Sequence, residues 1–340
     1  MHASPSPTAP VAPPVAPRVP VTTVLHGESR TDEYAWLRDR DDPRTRAYLE
    51  AENAWTDAAT RGWRPLEDSL YAEMLGRIRQ TDLTVPYRRS GWLWYSRTLE
   101  GRQYPVHCRR RDPDSPEQVV LDLNALAEGL AFFALGDYEA SPDATRLAYT
   151  TDTTGYRQYA LNVKDLGSGE TRTALAERVT SVAWSADGST LFYTQEDPVS
   201  KRSDTLWRQR LDGPPERVWV EPDERFEVHV DRTRSGEWLL QVRASHTTSE
   251  VLVLRADAPD GEWRAISPRR QDVEYDVDHR GESFWIRVND TGRDFRVVTA
   301  PVSAPGPEHW TEVVSHRPGV MVTGVHCFRD DRETSVSGRR

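Results

Sequence analysis

Six consecutive residues, Ser245-His246-Thr247-Thr248-Ser249-Glu250, gather hydroxyls, an imidazole and a carboxylate. Those are the groups of a nucleophile, its general base and an orienting acid. Neighbours in one strand or loop do not converge on one reacting atom, and no backbone arrangement for an oxyanion hole accompanies them. The stretch reads as a hydrogen-bonded turn. Asp276-Val277-Asp278-His279-Arg280-Gly281 faintly follows a calcium loop, but Arg280 and Arg287 fall where the fifth and twelfth ligands belong. It too reads as a turn between strands.

The search for other chemistry is short. There is no G-x-S-x-G, H-E-x-x-H, C-x-x-C, G-x-x-x-x-G-K-[ST] or dinucleotide glycine fingerprint. The remaining histidines are scattered without carboxylates at an informative spacing. Arg109-Arg110-Arg111 and the run from Glu221 to Glu227 read as solvated loop ends. No catalytic residue, metal ligand or cofactor is expected in the chain, and no substrate-binding residue stands out.

The residues that do stand out are structural. In Val179–Glu196, the run Val182-Ala183-Trp184 meets the turn Ser185-Ala186-Asp187-Gly188, and Leu191-Phe192-Tyr193 follows. That is a hairpin, with Asp-Gly where a positive φ is needed. The pattern recurs around Gly91, Pro142-Asp143-Ala144, Gly188, Gly236 and Gly281, at steps of roughly 53, 44, 48 and 45 residues. Third strands follow at Tyr159–Leu161, Thr205–Trp207, Val251–Leu254 and Phe295–Val298. Fourth strands follow at Val119–Leu121, Val218–Val220, Arg264–Ile266 and Glu312–Val314. Four strands at this period make a β-propeller blade. A large β-sandwich with accidental spacing is the competing fold.

Composition sets bounds. With 54 acidic against 44 basic residues, the formal net charge is −10, which disfavours a nucleic-acid surface. Only Lys164 and Lys201 are lysines. Cys108 and Cys327 are far apart, so a reduced, cytoplasmic protein is expected, and no apolar run is long enough for a membrane span.

In chain order, residues 1–28 read as a proline-rich disordered tail. Residues 29–82 read as a helical segment. Asp42-Pro43 caps a helix with Tyr48, Ala51, Trp55 and Ala58 along one face, and Gly62 ends it. Pro65 opens a second helix carrying Leu66, Leu70, Met74 and Ile78. These stripes require a large apolar partner. Residues 83–340 read as a mainly β, incomplete propeller of about five blades and the start of a sixth. Glu333–Arg340 offers one apolar residue, Val336, so Val320–Phe328 is expected to lack its hairpin partner, as after a frameshift or gene-model break.

Several stretches resemble the prolyl oligopeptidase family. Tyr34-Ala35-Trp36-Leu37-Arg38-Asp39 and Ala47-Tyr48-Leu49-Glu50-Ala51-Glu52-Asn53 are similar to its N-terminal segment. Glu73–Asp82, Tyr95-Ser96-Arg97, Gln103-Tyr104-Pro105, Ser245–Glu250 and Val273–Gly281 point to its oligopeptidase B branch. The resemblance runs from about residue 20 to about 328. It implies a seven-bladed propeller that gates short peptides to an α/β-hydrolase domain with a Ser–Asp–His triad, cleaving after Arg or Lys. It also implies that triad, oxyanion donors and basic-residue recognition lie in a domain absent from this chain, which is then inactive alone; the unpartnered helical stripe and an open strand edge are expected to leave the isolated chain poorly behaved. A stand-alone propeller that binds a peptide or protein is the alternative. Prolyl oligopeptidase proper differs only in the missing domain.

Overall fold

The computed structural model describes residues 12–328 and, for the backbone alone, 334–339. The chain divides into two compact units, Met1–Gln80 and Thr81–Arg340.

In the first unit, β1 (Val21–Leu25) and β2 (Glu28–Asp32) form an antiparallel hairpin. The expected tail to residue 28 is therefore too long. Val-Thr-Thr-Val is a β-branched run, and Gly27 supplies the positive φ of the turn. Helix α1 (Pro43–Thr60) starts where expected, the Asp42 carboxylate accepting the Arg44 N–H. Helix α2 covers Arg64–Gly76. The unit is built on Trp36, whose indole donates to Pro17 O at 3.0 Å while Tyr48 packs edge-on against it. The second apolar stripe has no such anchor: Leu66, Leu70, Met74 and Ile78 are all exposed.

Among the described residues, the second unit holds five four-stranded antiparallel sheets and one two-stranded sheet, each ordered as a meander. The first holds β3 (Tyr87–Arg89), β4 (Trp92–Arg97), β5 (Val106–Arg110) and β6 (Gln118–Asp122). The second holds β7 (Ala134–Ala140), β8 (Arg146–Asp152), β9 (Ala160–Asp165) and β10 (Thr171–Ala176). The third is β11 (Val179–Trp184), β12 (Thr190–Glu196), β13 (Ser203–Arg210) and β14 (Pro215–Val220). The fourth is β15 (Glu227–Arg232), β16 (Trp238–Ala244), β17 (Ser249–Arg255) and β18 (Arg264–Ala265). The fifth is β19 (Tyr275–Arg280), β20 (Ser283–Val288), β21 (Arg296–Pro301) and β22 (Thr311–Val314). These are propeller blades, and the sandwich is excluded.

Every expected repeat turn joins the first and second strands of a blade. Gly91, Gly188, Gly236 and Gly281 all adopt positive φ, and Ala144 takes that conformation in the second blade. Apolar cores lie between consecutive blades. Trp94, Phe133 and Leu147 share one, Leu161, Val182 and Trp184 the next, then Phe192, Val228 and Leu239, then Val251, Tyr275 and Phe284. Each such side chain contributes about 1.5–3 kcal/mol by leaving water.

The sixth sheet corrects the expectation of an unpaired final strand. β23 (Met321–Cys327) pairs antiparallel with β24 (Thr334–Arg339). Ladder hydrogen bonds come from the backbone, so a polar strand supplies them without an apolar run.

Two charged runs expected as solvated loop ends each contain a buried member. Arg109 is 4% exposed, with its guanidinium carbon 3.9 Å from the centre of the Trp92 ring. Glu221 is 1% exposed and bound by Arg269 at 2.8 Å. Planar guanidinium groups stack on aromatic faces while keeping hydrogen bonds at their edges, which lets arginine enter places a lysine would not.

The turn at Asp187 gives the first test. Its carboxylate accepts from Ser185 Oγ at 2.6 Å, Ser189 N at 3.0 Å and Ser189 Oγ at 2.7 Å. Asp187→Ala removes all three bonds and is expected to destabilise the chain by about 1–2 kcal/mol. Urea unfolding checks it, and an unchanged midpoint contradicts the role assigned to this turn.

Candidate functional site

The first strand of each blade uses one edge to pair with its second strand, leaving the other edge for the blade's inner side. First strands neighbour one another around the array, β7 beside β11, β11 beside β15 and β19 beside β23. Side chains cross these gaps. Asp137 Oδ2 accepts Val182 N–H at 2.8 Å, Ser181 Oγ accepts Val230 N–H at 2.9 Å, and Asp278 Oδ2 accepts Cys327 N–H at 2.9 Å. In each pair a first-strand side chain satisfies an amide on the first strand of the next sheet.

Strand alternation then decides what the inner wall presents. β15 buries Val228 and Val230 and exposes Glu227, His229 and Asp231; β19 buries Tyr275 and Val277 and exposes Asp276. With Asp137 and Glu139 from β7 and Asp278 from β19, the wall is rich in carboxylates from three blades. Arg89 on β3 holds Glu139 at 2.9 Å. Burial pushes the Asp137 and Glu139 carboxyls above the usual range, and the neighbouring Asp231 charge adds to both shifts. Burial lowers the Arg232 guanidinium, which also feels Arg89. The arrangement suits binding of cationic groups; it has no nucleophile beside a base.

A cavity of about 560 Å³ opens between the third and fourth blades, lined among others by Thr180, Lys201, Arg225, Glu227, His229 and His246. The hydroxyl-rich stretch singled out above ends here and does not assemble a triad. Ser245 and His246 line the cavity, whereas Thr248 and Ser249 are buried. Thr248 Oγ1 accepts Asp272 N–H, Ser249 Oγ donates to Tyr275 O, and Glu250 pairs with Arg243 and Arg269. The stretch is the turn joining β16 to β17, as expected, together with the first two residues of β17. Asp276–Gly281 is likewise β19 and its turn, and among the described residues no group of three potential ligands could hold a metal ion. Burial raises the Cys108 thiol to about 11 and the Cys327 thiol to about 12, so neither is primed for reaction.

A family model described as "Prolyl oligopeptidase, N-terminal beta-propeller domain" matches residues 13–335. The chain belongs to the prolyl oligopeptidase family. Dipeptidyl aminopeptidase BI of Pseudoxanthomonas mexicana is 39% identical, over 93% of this chain and 47% of that protein. Oligopeptidase B from Trypanosoma brucei, solved in a closed form with covalently bound antipain, matches with a TM-score of 0.86 and 28% identity. Oligopeptidase B from Leishmania major matches with a TM-score of 0.86 and 25% identity. Both alignments cover 97% of this chain and 49% of the oligopeptidase. This prolyl oligopeptidase-family chain thus spans about half the length of the relatives it matches. The wall carboxylates were missed in the sequence because they lie in pairs on three strands far apart in the chain; their signal was a recurrence at multiples of the blade period.

Two measurements test this geometry. Ser181→Ala leaves the Val230 amide unsatisfied and is expected to cost about 1–3 kcal/mol in urea unfolding, whereas the exposed Thr180→Ala should cost less. At the cavity rim, hydrogen bonds from Arg225 lower the Asp223 carboxyl to about 2 from its ordinary 3.8. A carboxyl lowered by folding stabilises above its unfolded value, and that stabilisation is lost as pH falls from about 4 towards 2. The difference in melting temperature between wild type and Asp223→Asn should therefore shrink across that window.

Proposed function

We propose that this chain is the propeller portion of an oligopeptidase B-like serine peptidase, gating short peptides cleaved after Arg or Lys. The observation carrying this reading is the acidic inner wall formed by Asp137, Glu139, Glu227, Asp231, Asp276 and Asp278. Such a wall attracts guanidinium and ammonium groups, and a propeller admits an extended peptide more readily than a folded protein. Chemistry is assigned to an α/β-hydrolase half, since the sequence holds no G-x-S-x-G. The exposed stripe Leu66, Leu70, Met74 and Ile78 is a surface for that half to cover. The two free, buried thiols support a reducing compartment, the cytoplasm.

The test is a chimera in which this chain replaces the propeller half of the Trypanosoma brucei oligopeptidase B. It should cleave a blocked arginyl-arginyl coumarin amide and spare a folded protein with exposed arginines. Asp231→Lys should lower kcat/KM for the arginyl substrate, relative to a neutral one, by about fivefold. Equal attack on the folded protein contradicts gating, and an unchanged ratio contradicts a role for the wall.

The identity to a dipeptidyl aminopeptidase favours a second reading, release of dipeptides with a wall carboxylate holding the peptide's free ammonium. Acetylating the substrate's N-terminus separates the two. Only the second reading requires that cleavage then stop.

A further inference from the structure

We propose that His229 decides at which pH the inner wall holds a cationic peptide. The neutral imidazole permits the cation; the protonated one repels it. The proposal rests on the reading that the wall binds cationic groups. On β15, Glu227, His229 and Asp231 are exposed in alternation with buried Val228 and Val230, so all three project from one side of the strand. That spacing puts a carboxylate residue roughly 7 Å along the strand on either side of the imidazole. The Val230 N–H, held by Ser181 Oγ at 2.9 Å, fixes the strand at this point. β15 adjoins β11, and β11 adjoins β7. Across these strands the His229 charge favours the ionised form of Asp137, while Asp231 opposes it and also acts on Glu139. One imidazole thus stands among carboxylates from two blades.

The fixed cations around it are already engaged. Arg89 pairs with Glu139, Arg225 with Asp223 and Lys201 with Glu196. Arg232 donates to Gly236 O within its own blade. β11 contributes no titratable residue between Val179 and Trp184. His246, on the turn after β16, lines the same cavity as His229. Among the described residues His229 forms no hydrogen bond, so taking up a proton breaks none. His107 and His279 differ in this respect. Each bonds a serine hydroxyl, at 2.8 and 2.9 Å, and burial lowers both imidazoles. Histidine is the side chain whose charge ordinarily changes between about pH 5 and 8. Protonation places a positive charge in the middle of the row that attracts a guanidinium. Burial raises the Asp137 and Glu139 carboxyls, so their protonation on further acidification acts in the same direction.

The probe is a tetramethylrhodamine-labelled Gly-Arg-Arg-Gly amide, titrated into the 340-residue chain at low, constant ionic strength and followed by fluorescence polarisation. Wild type should bind it about fivefold more weakly at about pH 6 than at about pH 8. His229→Gln, always neutral, should keep most of its affinity at the lower pH; the dependence left in it belongs to the carboxyls. His229→Lys, always cationic, should bind weakly at both. His229 is exposed, so neither change empties the core. His246→Gln, and His326→Gln on β23 beside β19, should retain the wild-type dependence. Absence of saturable binding at the higher pH would overturn the cation-binding reading and the proposal with it. Saturable binding with equal affinity at the two pH values overturns the proposal alone. So does a dependence unchanged in His229→Gln, one abolished in His246→Gln or His326→Gln, or tight binding by His229→Lys.

Discussion

Blade-to-blade closure at the inner strands is the constraint on which this propeller depends. A four-stranded meander satisfies its own interior ladders, but its first strand keeps a free edge beside the next blade. Asp137, Ser181 and Asp278 meet that need by accepting Val182, Val230 and Cys327 amides across the gap. The interaction is short-ranged and directional, so it fixes blade spacing where the apolar cores, which tolerate small slides, do not. The cores then fill the wedge outward from the fixed inner strands, and the outer strands are the least buried. β10 and β14 show this, with mostly exposed residues against the almost fully buried β12.

Between the third and fourth blades a charged network adds to the Ser181 contact. Arg243 bonds Glu250, Arg269 bonds both Glu221 and Glu250, and the two guanidinium groups lie over Trp219 and Phe226. Burying an ion pair usually returns little net stability, because desolvation offsets the attraction. Removing one partner is the expensive event. This network therefore serves the register of two blades more than their raw stability, and it explains why arginine, with a stackable plane and five donors, occupies the site.

Much of the fold was legible because two periods overlap in one sequence. Alternation of period two marks each strand, and the turns at Gly91, Ala144, Gly188, Gly236 and Gly281 mark the blade repeat. What escaped was whatever lacked one of these signals. β10, Thr171–Ala176, is exposed along most of its length, so no apolar pattern announced it. β24 pairs through backbone alone, and β1 was hidden behind a proline-rich stretch whose composition suggested disorder. Arg109 and Glu221 misled because charge in a sequence implies water, and the stacking and pairing that compensate their burial come from residues distant in the chain. The candidate site was the least legible part. Its members sit on three different strands, two residues each, and only the array of neighbouring inner strands makes them a group.

That wall carries two duties, which separate by residue. Asp137 and Asp278 spend carboxylate oxygens on the next blade, so replacing them alters both the charge of the channel and the attachment of its neighbours. Among the described residues Asp231 accepts only the adjacent Arg232 amide, and Asp276 pairs with Arg287 inside its own blade. Glu227 is exposed at the edge of the cavity. The charge of the wall is thus most freely altered at Glu227, Asp231 and Asp276, which hold no amide of the next blade. Change at Asp137 or Asp278 first requires another acceptor for the amide they hold. The charge of such a wall can change while its architecture stays fixed, because the residues that carry the free carboxylates are largely distinct from those that hold the next blade.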